Sequence, residues 1–256
     1  MSAPSPPVLL CTNDDGIHAP GLALLAEAAG AHGDVRVVAP DRQQSASSHA
    51  LTLHRPLRLT TVDERTHTID GTSTDCVLIG IRDLFTNRPP SVVLSGVNHG
   101  PNMGEDVLYS GTVAGAMEAA ILGIPALAIS YAGPDTGHLD TYGALVAQLI
   151  GDILSRKRVS PQTFFNINLP DCAAGEVKGT VVTTLGRRVY HDSLARRLDP
   201  RGREYLWIGG GRSDWSGRED SDFRAVRAGY VSITPLRLDL TDFESLEEVR
   251  SWSLGT

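Results

Sequence analysis

The alternation of short apolar runs with helix-forming stretches restricts the fold more than any other feature of this chain. Val8-Leu9-Leu10-Cys11-Thr12 is a continuous apolar run that stops at Asn13-Asp14-Asp15-Gly16, and Pro20 then opens a stretch of helix formers from Leu22 to Ala29. This reads as strand, loop, helix. Val35 to Ala39 is a second strand, stopped by Pro40, and Val92-Val93-Leu94 and Ala126 to Ile129 are two more, closely bounded by Gly, Pro or Ser. Between those last two, Val113, Met117, Ala120 and Ile121 recur at helical spacing. Leu145, Val146, Leu149, Ile150, Ile153 and Leu154 form a further i, i+3, i+4 stripe. Strands alternating with helices at these lengths predict right-handed βαβ crossovers and an α/β fold whose mostly parallel sheet is covered on both faces.

The later part of the chain differs. The segment 185–227 is rich in Arg and Gly, with Tyr190, Tyr205, Trp207 and Trp215 scattered through it, and is expected to leave the core as a hairpin. Gly229 to Pro235 restores a strand, and Thr241-Asp242-Phe243-Glu244 has the capping-box pattern at the start of a final helix, 241–256. A chain of 256 residues, 41% hydrophobic and 21% charged, can bury a sizeable core as one α/β domain, 1–256, without disulfides.

Cys11 and Cys76 lie inside apolar runs, so the widely spaced cysteines read as buried hydrophobes in a reducing compartment. The start MSAPSPPVLL has no basic segment and its apolar run soon meets Asn13-Asp14-Asp15, which is unlike a signal peptide. No stretch approaches the roughly 20 apolar residues of a membrane span. A cytoplasmic protein is expected, with no membrane partner. A net charge of −7 argues against nonspecific binding to nucleic acid, which rests on a basic surface.

Three polar clusters carry the candidate chemistry. Asn13-Asp14-Asp15-Gly16 follows the first strand, where open parallel sheets usually bind ligands. Two adjacent carboxylates repel unless a cation or donors compensate, although an Asp-Asp-Gly is also an ordinary turn. Gln43-Gln44-Ser45-Ala46-Ser47-Ser48-His49 follows the second strand and reads either as a solvated connection or as a wall of the same crevice. The third cluster is Ser95-Gly96-Val97-Asn98-His99-Gly100-Pro101-Asn102-Met103-Gly104, then Leu108-Tyr109-Ser110-Gly111-Thr112 and a helix. Its glycines admit close backbone approach, Asn98 offers a carbonyl oxygen to a cation, and Ser110-Gly111-Thr112 sets hydroxyls and N–H groups at a helix N-terminus, as anion binders or as simple caps. His99 is a weaker acid-base candidate, and Arg187-Arg188, Arg196-Arg197 and Arg201 could reach an anionic ligand but read first as solvated or oligomer-contact arginines. The first strand is not followed by G-x-G-x-x-G, and neither Lys157 nor Lys178 closes a Walker loop. A carboxylate-rich first loop suits a hard cation better than a bare pyrophosphate.

Taken together, LLCTNDDGIHAPGL at 9–22, VVAPDRQQSASSHALTL at 37–53, GTSTDCV at 71–77 and VLSGVNHGPNMGEDVLYSGTVAGAMEAAILGIPALAIS at 93–130 resemble the SurE family of stationary-phase survival proteins, which are 5′/3′-nucleotidases. FFNINLP at 164–170 and AVRAGYVSITPLRLDLTD at 225–242 continue the resemblance along nearly the whole chain. It implies a Rossmann-like core whose projecting hairpin and C-terminal segment exchange between subunits of a homodimer or homotetramer. It also implies one divalent ion per subunit, Mg²⁺ or Mn²⁺, held by Asp14, Asp15, Ser45 and Asn98. Asn98, Ser110, Gly111 and Thr112 would surround the phosphate, with Asn13 also on the substrate side and Asp14 and Asp15 catalytic. The family often has histidine where this chain has Arg237 and near Phe243. The implied activity is hydrolysis of nucleoside 5′-, and possible 3′-, monophosphates by cation-activated water. Two other classes compete: a non-catalytic nucleotide or metal sensor of the same fold, and an NAD-dependent oxidoreductase, which the missing glycine fingerprint weakens.

Overall fold

Every residue of the first apolar run is buried, and it forms β1, Val8–Thr12, near the middle of the sheet. The computed structural model describes residues 5–156, 162–190, 194–208, 213–252 and 254; Lys157 and the end of the 241–256 segment lie outside them. Pro20 opens α1, Pro20–Gly30, which leads into β2, Asp34–Pro40. An edge pair, β3 Leu59–Thr61 and β4 Thr66–Ile69, precedes α2, Ser73–Ile79. Then come β5 Val92–His99, α3 Gly111–Ile121, β6 Ala126–Tyr131, α4 Gly143–Leu154 and β7 Thr163–Leu169. A short β8, Thr180–Val182, precedes β9 Arg187–Tyr190, β10 Leu194–Leu198, β11 Glu204–Ile208 and β12 Ser213–Ser216. The chain continues through α5 Asp222–Arg227, β13 Val231–Arg237 and α6 Leu246–Arg250.

Among the described residues the main sheet has nine strands in the order β3-β4-β2-β1-β5-β6-β7-β13-β8. From β4 to β7 every neighbouring pair is parallel, while β3 and β13 run antiparallel to β4 and β7. Alternate side chains of β1 serve opposite faces. Leu9 and Cys11 pack with Leu22 and Leu25 of α1 and Val146, Leu149 and Ile150 of α4, whereas Leu10 packs with Val77 of α2 and Val113 and Ala116 of α3. The stripe predicted for α4 therefore faces the sheet. Burial also pushes the Cys11 thiol up to about 12, which suits an inert core position.

Two local expectations needed revision. Val92-Val93-Leu94 is only the start of β5, which continues through the glycine-rich motif to His99 and pairs with β6 again at Asn98 and His99 after a register shift. Gly96 at the shift has φ +137°, and a Cβ there would stand 2.2 Å from the Ile129 carbonyl oxygen. The glycine marks a bulged strand and not a loop. At the C-terminus the last helix begins at Leu246, because the Asp242 carboxylate accepts from the backbone N–H groups of Glu244 and Ser245 and from the Ser245 hydroxyl. That local turn takes the place of the Thr241–Glu244 capping box. A capping box does occur at α2, between Thr72 and Asp75. In the Arg-rich segment, β9 pairs with β12 and β10 with β11, so the chain goes out and back as a two-tier hairpin before α5 begins.

Candidate metal and phosphate site

The C-terminal ends of β1 and β5 and the N-terminus of α3 meet at one point on the sheet's rim. Asn13 closes the turn after β1: its amide donates to the Gly16 carbonyl at 2.9 Å and accepts from the Gly16 N–H at 3.2 Å. With both polar atoms so engaged and the side chain buried, Asn13 shapes the loop. Asp14 is buried, and the Thr112 hydroxyl donates to its Oδ1. Asp15 accepts from the His99 N–H at 3.1 Å, which ties the carboxylate pair to the end of β5.

Burial, with a smaller push from the neighbouring Asp15, raises the Asp14 carboxyl from 3.8 to about 6 against the lowering effect of the Thr112 hydroxyl. No cluster of three or more His, Cys, Asp and Glu is found among the described residues. A cation held here would rest on two carboxylates and on neutral oxygens.

Those neutral oxygens are present. Gln44 N–H donates to the Asp14 carbonyl at 2.7 Å, Ser48 N–H to the Tyr109 carbonyl at 3.1 Å, and the Ser48 hydroxyl to the Leu108 carbonyl at 2.6 Å. The 43–49 loop is thereby strapped across the crevice, with Ala46 and Ser48 at φ +56° and +53°, values unusual for residues with side chains. His49 anchors its far end through Glu118 at 2.8 Å. Asn98 donates its Nδ2 to the carbonyls of Gly100 at 2.7 Å and His99 at 3.4 Å, bonds that leave its Oδ1 as a neutral oxygen acceptor. Asp14, Ser45, Asn98 and Ser110 all line one cavity of about 640 Å³, together with His99, Tyr109 and Arg188. This all-oxygen donor set, with a buried carboxylate in it, fits a hard divalent ion.

The helix end splits the three residues assigned to phosphate. Ser110 is the N-cap of α3, its hydroxyl accepting from the Val113 N–H at 3.0 Å, and it also lines the cavity. Thr112 turns inward and supports Asp14. Gly111 lies between them, and a Cβ there would meet Asp14 Cβ and Oδ2 at 2.8 Å and the Ser47 hydroxyl at 3.0 Å. Only glycine lets the helix start this close to the carboxylate.

Residues 9–192 match the family described as Survival protein SurE. The chain belongs to the SurE family. It is 52% identical to the 5′-nucleotidase SurE of Gemmatimonas aurantiaca over 95% of this chain and 98% of that one. It is 50% identical to the 5′-nucleotidase SurE of Geotalea uraniireducens over 96% and 99% of the two chains. The crystal structure of the SurE protein from Aquifex aeolicus superimposes with a TM-score of 0.85 at 39% identity, covering 95% of this chain and 98% of that one.

Sequence reasoning about this SurE family member missed one support of the site and ranked another second. Asn102, in the loop after β5, sits in a buried amide network: its N–H donates to Asn168 Oδ1 at 2.9 Å, its Nδ2 to the Ser130 hydroxyl at 2.8 Å, and its carbonyl accepts from Asn166 at 2.7 Å. The alternation of Asn166 and Asn168 inside an apolar strand was the visible signal. The second is Arg188, for which the sequence ranked a solvated position above an anion-reaching one and which lines the cavity.

Proposed function

We propose that this chain is a divalent-metal-dependent 5′-nucleotidase that hydrolyses nucleoside 5′-monophosphates to nucleoside and phosphate. The reading is supported by relatives named 5′-nucleotidase SurE at about half identity over nearly the whole chain. The observation that carries it to these residues is the convergence of Asp14, Ser45, Asn98 and Ser110 on one cavity, with Asp15 hydrogen-bonded to the end of β5.

Asp14, Asp15, Ser45 and Asn98 would hold the cation. Bound there, a divalent ion polarises the phosphoryl group and lowers the pKa of water. Asp14 or Asp15 would accept one proton as water attacks phosphorus, and as the bond to the nucleoside oxygen breaks that carboxyl would pass the proton on to the departing oxygen, giving nucleoside and hydrogen phosphate. Ser110 and the N-terminus of α3 supply a region of positive partial charge for the equatorial oxygens. Thr112 keeps Asp14 fixed while this happens.

No helix among the described residues is long and apolar enough to cross a membrane, and a cytoplasmic location is part of the reading. The assembly is read as a homodimer or homotetramer that exchanges hairpin and tail. The test is phosphate release from a panel of 5′- and 3′-nucleotides, with chelator and then with Mg²⁺ or Mn²⁺ restored. Activity should vanish with chelator and return with the ion. Full activity in excess chelator with no metal bound would refute metal dependence, and saturable nucleotide binding without turnover would refute the enzyme reading.

A further inference from the structure

A phosphomonoester is a dianion, and the cavity that would receive it is lined by the carboxylates of Asp14 and Asp106, with Asp15 close by. One Lys or Arg side chain among the described residues faces it, Arg188. Its position is set from four sides. The Arg188 N–H donates to Glu105 Oε2 at 2.7 Å, and its Nη1 pairs with Asp106 Oδ2. The guanidinium lies 5.3 Å from the centre of the Trp215 ring, and Trp215 stacks on Phe223 at 5.3 Å. Beneath them the buried Asp222 accepts from the N–H groups of Gly104 and Gly186, each at 2.8 Å, and so clamps the base of the hairpin to the loop before α3. Asp106 is itself part of that loop, its carbonyl accepting from the N–H groups of Tyr109 and Ser110. The arginine, the N-cap serine and the Asp14 end of α3 are thus parts of one rigid unit.

We propose that Arg188 is a substrate-binding residue of this site, its guanidinium contacting the phosphate of the substrate. The proposal rests on the phosphomonoesterase reading above. A guanidinium carries five N–H donors in a planar fork, so holding Asp106 at Nη1 is compatible with receiving a second anion. Stacking on Trp215 orients the fork, and pairing with Asp106 pre-orders it before substrate arrives, which reduces the ordering cost of binding. The site would then place the cation on one side of the phosphate and Arg188 on another. Tyr109 and Ile208, both exposed at the cavity wall, would be the apolar surfaces open to the nucleoside.

The test compares the parent chain with Arg188→Gln, each loaded with Mn²⁺. Inorganic phosphate and free nucleoside are titrated separately by calorimetry, and KM and kcat are measured with a nucleoside 5′-monophosphate and with p-nitrophenyl phosphate. Phosphate affinity should fall about 10- to 100-fold, the loss of a charge-assisted contact, while nucleoside affinity stays within 2-fold. KM should rise for both substrates, because both carry the phosphate. Unchanged phosphate affinity overturns the proposal. So does a loss of nucleoside affinity alone, which would put Arg188 on the base, or an equal loss of both, which would mean a collapsed crevice. Should Arg188→Gln fail to fold, Arg188→Lys keeps the charge while losing the fork, and phosphate affinity unchanged in that variant overturns the proposal equally. Phosphate titration needs no turnover, so a parent chain that cleaves no nucleotide would defeat the nucleotidase reading while still reporting on Arg188.

Discussion

The Thr112 hydroxyl donates to Asp14 Oδ1 across the junction between the N-terminus of α3 and the end of β1. Both residues are buried, and the bond replaces water that the carboxylate has lost. Thr112→Val keeps the shape and removes the donor, leaving a buried acceptor short of a partner. Stability should fall by about 1–3 kcal/mol and kcat/KM by roughly 10-fold or more, with Thr112→Ser restoring most of both. Thermal unfolding and steady-state kinetics on the three proteins measure this, and a valine variant as stable and active as the parent would remove the bond from the account.

Asp15→Asn separates catalysis from folding. The amide retains an oxygen for the His99 N–H and removes a charge that opposes ionisation of Asp14. The metal-free melting temperature should stay level or rise, while turnover at saturating metal drops by roughly 100-fold or more. Near-normal turnover would exclude Asp15 from the chemistry, and a large loss of metal-free stability would make it a turn-forming residue.

Asp34, at the opposite end of the sheet, offers a pH test remote from the site. Burial alone would raise its carboxyl, but Arg36 at 2.9 Å, with Arg65 at 3.8 Å and Arg88 at 3.1 Å, outweighs this and holds it below 3.8. A folded-state value below the unfolded one means stability that is present above the unfolded pKa and lost as pH falls through the folded pKa. Asp34→Asn should therefore be less stable than the parent at pH 7, and the gap should narrow progressively below about pH 4. Chemical unfolding at several pH values decides it, and a gap of constant size down to pH 2 would contradict the assignment.

Leu240, Phe243, Trp252 and Leu254 are exposed in the single chain, a concentration of apolar surface that suits burial on a second copy. Removing the segment from Thr241 should dissociate the assembly or make it insoluble. Sedimentation of the truncated chain measures this, and a well-behaved dimer with full activity would exclude exchange of the tail.

The sequence by itself determined the α/β plan, since continuous apolar runs alternating with helical stripes have few other ways to be buried. Val8–Thr12 and the α4 stripe are local patterns whose period already states which face is covered. It also determined the family, because long motifs from 9 to 130 preserve the order of the polar clusters. Only the tertiary structure decided what each polar residue does. Asn13 and Thr112 look like ligand residues in the motif and turn inward to build the loop and support Asp14, while Arg188, for which the motif leaves two positions open, lines the crevice through the hairpin. The physical reason is that hydrophobic periodicity is written within a few neighbouring residues. The direction of a polar side chain depends instead on partners far away in the chain, 98 residues for Thr112 and Asp14 and 82 for Arg188 and Asp106, which are neighbours only once the sheet has formed.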